Sequence, residues 1–299
     1  MARSSAAIMT SICTDRPFGV PPVEDYACDT ELIRREHRLC SLRRRRLIIA
    51  SHSSPARANS PRDNHLLAAL PVTVYQRLLP HLETIALPLG WSLYETGHRM
   101  EYVFFLTEGI VSLLNVMENG ESAEIAVTGN EGLIGISLFM GGESTLSRAV
   151  VQGAGHAYRL RANFLKEEFE RGGELQYLLL RFTQALITQM TQTAVCNRHH
   201  TVDQQLCRWL LLSLDRLPTN ELSMTQELIA NMLGVNRETV TFAAGALQEA
   251  GLIKYSRGHI TVLNRPELER RVCECYAVVR QESDRLLSSA ALSNFVAND

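Results

Sequence analysis

Residues 223–253 read SMTQELIANMLGVNRETVTFAAGALQEAGLI, and this stretch decides the fold. Thr225 stands where it can cap a helix whose apolar positions are Leu228, Ile229, Met232 and Leu233, with Ala230 small enough to admit a second helix closely. Gly234 lets the chain leave that helix at positive φ, and Asn236 can cap the next one. That second helix, Arg237 to about Ala250, buries Val240, Ala244 and Leu247 and turns Arg237, Glu238 and Thr241 outward. Two short helices joined by a tight turn make a helix-turn-helix. Downstream, Gly251 to Ser256 and His259 to Leu263 flank Arg257 and Gly258, a glycine-turned hairpin that forms a wing.

The chemistry of the exposed turn suits a duplex. In such units the first turn of the second helix meets base edges in the major groove. Arg237 can donate two hydrogen bonds to guanine O6 and N7, and Glu238 can accept from cytosine N4. Thr241 and Phe242 complete the base-facing set, Phe242 either touching a thymine methyl or packing inward. Thr225, Gln226, Asn236, Lys254, Arg257 and His259 surround it as candidate phosphate contacts. The formal net charge is −2, so binding to double-stranded DNA has to come from a local basic surface. The plainer alternative, a helical hairpin with exposed charge, leaves the wing without a purpose.

Working upstream, Leu175, Leu179, Phe182, Leu186, Gln189, Thr193 and Cys196 recur at steps of four and three. That spacing is one stripe of a long helix and predicts a seam with a second copy of the chain, Leu180, Ile187 and Met190 serving the helix's own domain from another face; the plainer alternative is a helix packed only on its own domain. Before it, Ile85 to Leu160 alternates apolar and polar residues in short bursts with frequent glycine. Strands are expected at Tyr102 to Leu106, Ile110 to Val116, Glu124 to Val127 and Arg148 to Val151, with Asn119-Gly120 turning a hairpin, which implies a β-roll, jelly roll or sandwich. A short helix is expected from His65 to His81, and an amphipathic one from Val202 to Leu217.

The fold class is therefore α+β, and the domain plan has five parts: a largely unordered basic tail over 1–63, a β-roll over 64–170, a dimerisation helix over 171–200, a winged helix-turn-helix over 201–270, and a helical tail over 271–299. The tail carries Arg43 to Arg46 and one short helix around Glu31 to Ile49; its arginines either stay solvated or touch phosphates. The 299 residues, 45% hydrophobic and 21% charged, describe a globular chain of about two domains. No apolar run approaches the roughly 18 residues of a membrane span, and no secretory leader is visible, so a cytoplasmic protein with no membrane partner is expected.

The residues from Leu66 to about Arg270 resemble the Crp/Fnr superfamily of bacterial transcription regulators, most specifically in the Gly-Val-Asn-Arg-Glu-Thr-Val core at 234–240. The resemblance implies a cyclic-nucleotide-domain-like β-roll, a homodimer, a pseudo-palindromic DNA site and contact with RNA polymerase. It also implies where a nucleotide would sit, through a Gly-Glu pair on the ribose and an Arg-Ser or Arg-Thr pair on the phosphate. Here Gly135 is followed by Ile136, and Arg148 by Ala149, which marks the ligand site as degenerate. Many relatives carry an arginine four residues after the glutamate of the recognition helix; this chain has Phe242 there, so its target sequence should differ.

Seven cysteines are present, an odd and irregular set that suits reduced thiols. Cys13, Cys28 and Cys40 are too widely spaced for a compact iron–sulfur motif. Cys196, His199, His200, Cys207, Cys273 and Cys275 include zinc-binding residue types, yet no C-x2-C pair organises them, so they read as scattered core residues, with no metal and no cofactor expected. No nucleophile motif or phosphate loop suggests an enzyme. The competing function is a small-molecule-sensing β-roll that acts mainly through protein contacts.

Overall fold

A computed structural model describes residues 59–287. The arginine run Arg43 to Arg46, the helix expected around Glu31 to Ile49 and the first three cysteines lie outside the described residues. The described chain opens with a 3-10 turn, Pro61–Asp63, capped by Ser60, followed by helices α1 (His65–Ala69) and α2 (Val72–Leu78). The single helix expected over this region is broken at Pro71, which has no amide proton to donate and holds Leu70 extended. Buried Asn64 ties this start to the body: its amide donates to the carbonyls of Leu106 and Gly132, and its oxygen caps Leu67.

Strands β1 (Glu83–Leu87), β2 (Ser92–Tyr94), β3 (Tyr102–Val116), β4 (Ser122–Thr128), β5 (Leu133–Ile134) and β6 (Ser147–Arg161) form one antiparallel sheet in the order β1-β6-β3-β4, with β2 on β6 and β5 on β3. β3 and β6 are each 15 residues long: β6 extends well beyond the segment expected at Arg148 to Val151, and β3 runs through the two segments expected at Tyr102 to Leu106 and Ile110 to Val116. What joins them is a bulged stretch between Leu106 and Val111, where a Cβ on Gly155 would meet the Glu108 carbonyl oxygen at 2.2 Å. The Asn-Gly hairpin between β3 and β4 is as expected, Gly120 taking φ 86°.

Helices α3 (Ala162–Glu170), α4 (Glu174–His199) and α5 (Val202–Leu214) follow. Then come β7 (Glu221–Ser223), α6 (Gln226–Leu233), α7 (Arg237–Glu249), β8 (Ile253–Ser256), β9 (His259–Val262), α8 (Arg265–Arg271) and α9 (Glu274–Leu287). α5 ends at Leu214, ahead of the expected Leu217. β7 was not anticipated; it adds a third strand to the wing in the order β7-β9-β8. No helix among the described residues is long and apolar enough to cross a membrane.

The seam expected on α4 requires correction. Leu175, Leu179, Phe182, Leu186, Gln189, Thr193 and Cys196 are all buried within the monomer, and the four large apolar members belong to the core of the β-roll. Burying each such side chain contributes roughly 1.5–3 kcal/mol, so this stripe is what fastens the helix to its own domain. Phe182 enters so closely that a Cβ on Gly132 would stand 2.1 Å from its ring. Gln189 is no register device between copies: it accepts from the Val127 amide (2.6 Å) and donates to the Val127 carbonyl (3.1 Å), completing the open edge of β4. Thr193 bonds back to the Gln189 carbonyl and accepts from buried Arg208. The outward stripe is Leu180, Gln184, Ile187, Thr191 and Ala194, again at steps of four and three, with Leu180 and Ile187 each 51% exposed.

A second core gathers α5, the winged helix and α8 around Leu210, Ile229, Val240, Leu247 and Leu268, and takes in Ile110, Leu114 and Val127 from the other face of the sheet. The winged helix therefore packs on the roll. Polar ties reinforce the junction: Arg216 pairs with Glu131 at 2.7 Å, and Gln152 donates to the Met232 sulfur.

Candidate nucleic-acid interface

Each helix of the helix-turn-helix is started by the cap its sequence provides. The Thr225 hydroxyl accepts from the Leu228 amide at 3.2 Å, and the Asn236 side chain accepts from the Thr239 amide at 2.8 Å. Between them Gly234 ends α6 at φ 65°, and the Val235 amide bonds back to the Ala230 carbonyl. Ile229, Ala230, Met232 and Leu233 are buried as expected; Leu228 is not, lying 39% exposed. On α7, Val240, Ala244 and Leu247 point inward, joined by Ala243.

Those inward positions leave Arg237, Glu238, Thr241 and Phe242 on the open side of α7, all exposed. Phe242 is 82% exposed, which removes the alternative that it packs inward. Thr241 is held by two bonds, donating to the Gln226 side chain (2.9 Å) and lying against the Arg237 carbonyl (3.0 Å), so α6 and α7 share one polar edge. Gln226 is thereby partly buried, while Thr225 and Asn236 remain exposed beside it.

The wing stands next to this edge. Its tip is Arg257 at φ 51° and Gly258 at φ 79°, two successive left-handed residues of the kind that reverse a tight hairpin. An arginine in that conformation is strained by about 1–2 kcal/mol relative to glycine, and here it is exposed at the tip. Lys254 and His259 are also exposed; the His259 Nδ1 lies 3.1 Å from the Ser223 hydroxyl. The wing is anchored by the Met224 amide donating to the Gly258 carbonyl and by the Tyr255 hydroxyl donating to the Met224 carbonyl. Burial pushes the Tyr255 phenol above its ordinary pKa, keeping it a donor.

Two groups escaped the sequence reading. Glu124 on β4 is buried at the junction of roll and winged helix, where the Ser112 hydroxyl donates to it. Burial pushes its carboxyl up to about 7, against the pull of the Ser112 bond and of the Arg208 and Arg216 cations. The periodicity of β4 alone does not reveal it. Cys196, His200, Cys273 and Cys275, set aside as scattered, are brought together by the fold. Cys207 is buried outside that set.

Comparison with known proteins matches residues 204–271 to the Crp-like helix-turn-helix domain and residues 85–171 to the cyclic nucleotide-binding domain. The chain belongs to the Crp/Fnr superfamily. Curated relatives include the Global nitrogen regulator of Synechococcus elongatus, 25% identical over 192 residues that cover 61% of this chain and 86% of the relative. The protein of that name from Nostoc is 26% identical over 190 residues, covering 60% and 85%. Solved structures of the same fold include a crp/fnr-family transcriptional regulator from Eubacterium rectale, with a TM-score of 0.57 at 19% identity, covering 69% of this chain and 96% of that one. FixK2 from Bradyrhizobium japonicum scores 0.56 at 17% identity, covering 64% and 98%. The Crp/Fnr superfamily is one of transcription regulators with a helix-turn-helix for DNA, not of enzymes.

In this Crp/Fnr chain the four positions that the resemblance marks for a nucleotide have other partners. Gly135 takes φ 112° ahead of a 3-10 turn, Ile136–Leu138, and Ile136 packs against the roll core. Arg148 is paired with Glu95 at 3.0 Å and bonded to Ser92, and Ala149 is wholly buried.

Proposed function

We propose that the protein is a sequence-specific transcription regulator that binds a pseudo-palindromic DNA site as a homodimer in the cytoplasm. Arg237, Glu238, Thr241 and Phe242 read base edges, while Thr225, Gln226, Asn236, Lys254, Arg257 and His259 contact phosphates. The observation that carries this reading is the first two turns of α7, where Arg237, Glu238, Thr241 and Phe242 are exposed on one face while the same helix buries its opposite face. Pairing is through the outward stripe of α4: Leu180, Ile187 and Ala194, with Gln184 and Thr191 between them, repeat at the spacing that lets a helix pack on a copy of itself. Two recognition helices then meet half-sites about 34 Å apart. RNA polymerase is the partner proposed for the remaining surface of the roll.

The nucleotide site does not take cyclic AMP or cyclic GMP in this reading. Ile136 has no acceptor for a ribose hydroxyl, and Arg148 is already neutralised by Glu95.

The test is a selected DNA site titrated against an unrelated duplex by fluorescence anisotropy. Two base contacts of about 1–3 kcal/mol each predict that R237A/E238A loses specific affinity by roughly 30-fold or more per half-site while staying folded and dimeric. Cyclic AMP leaves the wild-type titration unchanged. A double variant that keeps full discrimination between the duplexes rejects the assignment of α7, and the roll acting through protein contacts becomes the better account.

A further inference from the structure

We propose that Cys196, His200, Cys273 and Cys275 form a closed tetrahedral site for one zinc-class divalent cation. Cys196 and His200 lie one turn apart at the end of α4, and Cys273 and Cys275 flank the start of α9. The two pairs are separated by the whole winged helix, Cys273 lying 77 positions after Cys196 in sequence. Their four ligand atoms nevertheless lie within 4.8 Å of one another.

The separations match one ion. The Cys196 and Cys273 sulfurs are 3.6 Å apart, and the Cys275 sulfur is 3.5 Å from the His200 Nδ1. Zinc holds sulfur at about 2.3 Å and imidazole nitrogen at about 2.0–2.1 Å, so a tetrahedron has edges of about 3.8 Å between sulfurs and about 3.5 Å from sulfur to nitrogen. A disulfide needs its sulfurs at about 2.05 Å, far closer than these. An iron–sulfur cluster fills the space between its ligands with several atoms, and this set leaves room for a single centre.

The surroundings are those of a ligand set. The three cysteines form a buried cluster of their own, with Val272 packed between them and the second core. They are buried, and the His200 ring is 14% exposed, which leaves solvent little access to a fifth position. With Nδ1 facing Cys275, the other ring nitrogen of His200, Nε2, lies 3.3 Å from the Glu274 carboxylate. A carboxylate behind a ligating histidine fixes its tautomer and raises its basicity. Gln205 holds the turn, donating to the His200 carbonyl at 2.9 Å.

Charge also balances. Three thiolates and a neutral imidazole around a divalent cation carry one net negative charge, the three thiol protons leaving to solvent as the ion binds. Buried Arg208, bonded to Thr193 three residues before Cys196, supplies a compensating cation, and its Nε has no hydrogen-bond partner among the described residues. Thiolate sulfur selects zinc over magnesium or calcium, and four protein ligands make the site structural. The ion staples the last turn of the long helix to the segment that follows the wing, closing the DNA-binding domain into a loop.

The experiment uses the untagged full chain. Elemental analysis is expected to find about one zinc per chain in wild type and in C207S, and a loss of it in C273S/C275S and H200A. H200C, which restores a fourth ligand, retains the ion; a role in packing alone does not distinguish H200C from H200A. Because the variants can lose fold with the metal, wild type stripped by chelator and reloaded with cobalt(II) under nitrogen provides the second reading, an intense thiolate charge-transfer band and a rise in melting temperature. Three results overturn the proposal: zinc-free protein that gives no cobalt band, iron recovered with acid-labile sulfide, or a Cys196–Cys273 disulfide in protein alkylated directly from cells.

Discussion

α7 has 13 residues and one buried face; α4 has 26 residues and two stripes with the same spacing of four and three. On α7 the buried Val240, Ala244 and Leu247 leave one side for the outside, so the outward residues follow from the inward ones. On α4 one stripe, from Leu175 to Cys196, covers the roll, and the other, from Leu180 to Ala194, faces out. Periodicity finds a stripe on a helix without identifying what covers it. Where a helix has a single apolar face that is enough, and where it has two the neighbouring domain chooses.

The largest effect expected from this contrast is on stability. F182A removes a ring seated against Gly132 and is expected to destabilise the protein by about 3–5 kcal/mol in denaturant titrations. I187E, five residues further along on the outward stripe, is expected to leave the monomer's stability within about 0.5 kcal/mol and to convert dimer to monomer in sedimentation velocity. An I187E protein that stays dimeric sinks the proposed pairing face.

A smaller effect sharpens the same point at the junction of roll and winged helix. The folded state holds the Glu124 proton more tightly than the unfolded state, since its carboxyl is raised from 4.5 to about 7. Its ionisation therefore drains stability as pH rises through that window, and the loss is complete above it. E124Q is expected to raise stability at about pH 8 by roughly 2–3 kcal/mol and to bring no gain at about pH 4, as read by melting curves at the two pH values. Equal shifts at both would remove the buried ionisation as the cause.

The smallest effect lies at the wing tip. R257G relieves the left-handed arginine and is expected to stabilise the fold by up to about 1 kcal/mol. If Arg257 meets a phosphate, the same change lowers the salt dependence of DNA binding by about one ion per subunit, measured as the slope of log affinity against log salt. An unchanged slope would leave the strain without that purpose.

The caps at Thr225 and Asn236, the turn at Gly234, the wing hairpin and the outward face of α7 were legible in the sequence because each is settled within a few residues. A capping bond spans three positions and a helical face repeats within seven, so the chain states them wherever it is placed. Four strand segments of the roll were legible for the same reason, although the joining of two of them into the 15-residue β3 depends on a bulge set by the partner strand, and β1, β2 and β5 were not read. Only the tertiary structure decided which stripe of α4 is buried, why Gln189 completes β4, where Glu124 loses its water and that Cys196 meets Cys273. Those outcomes join residues tens of positions apart, and they follow from how whole elements dock, a global minimum of burial and hydrogen bonding that no local pattern encodes.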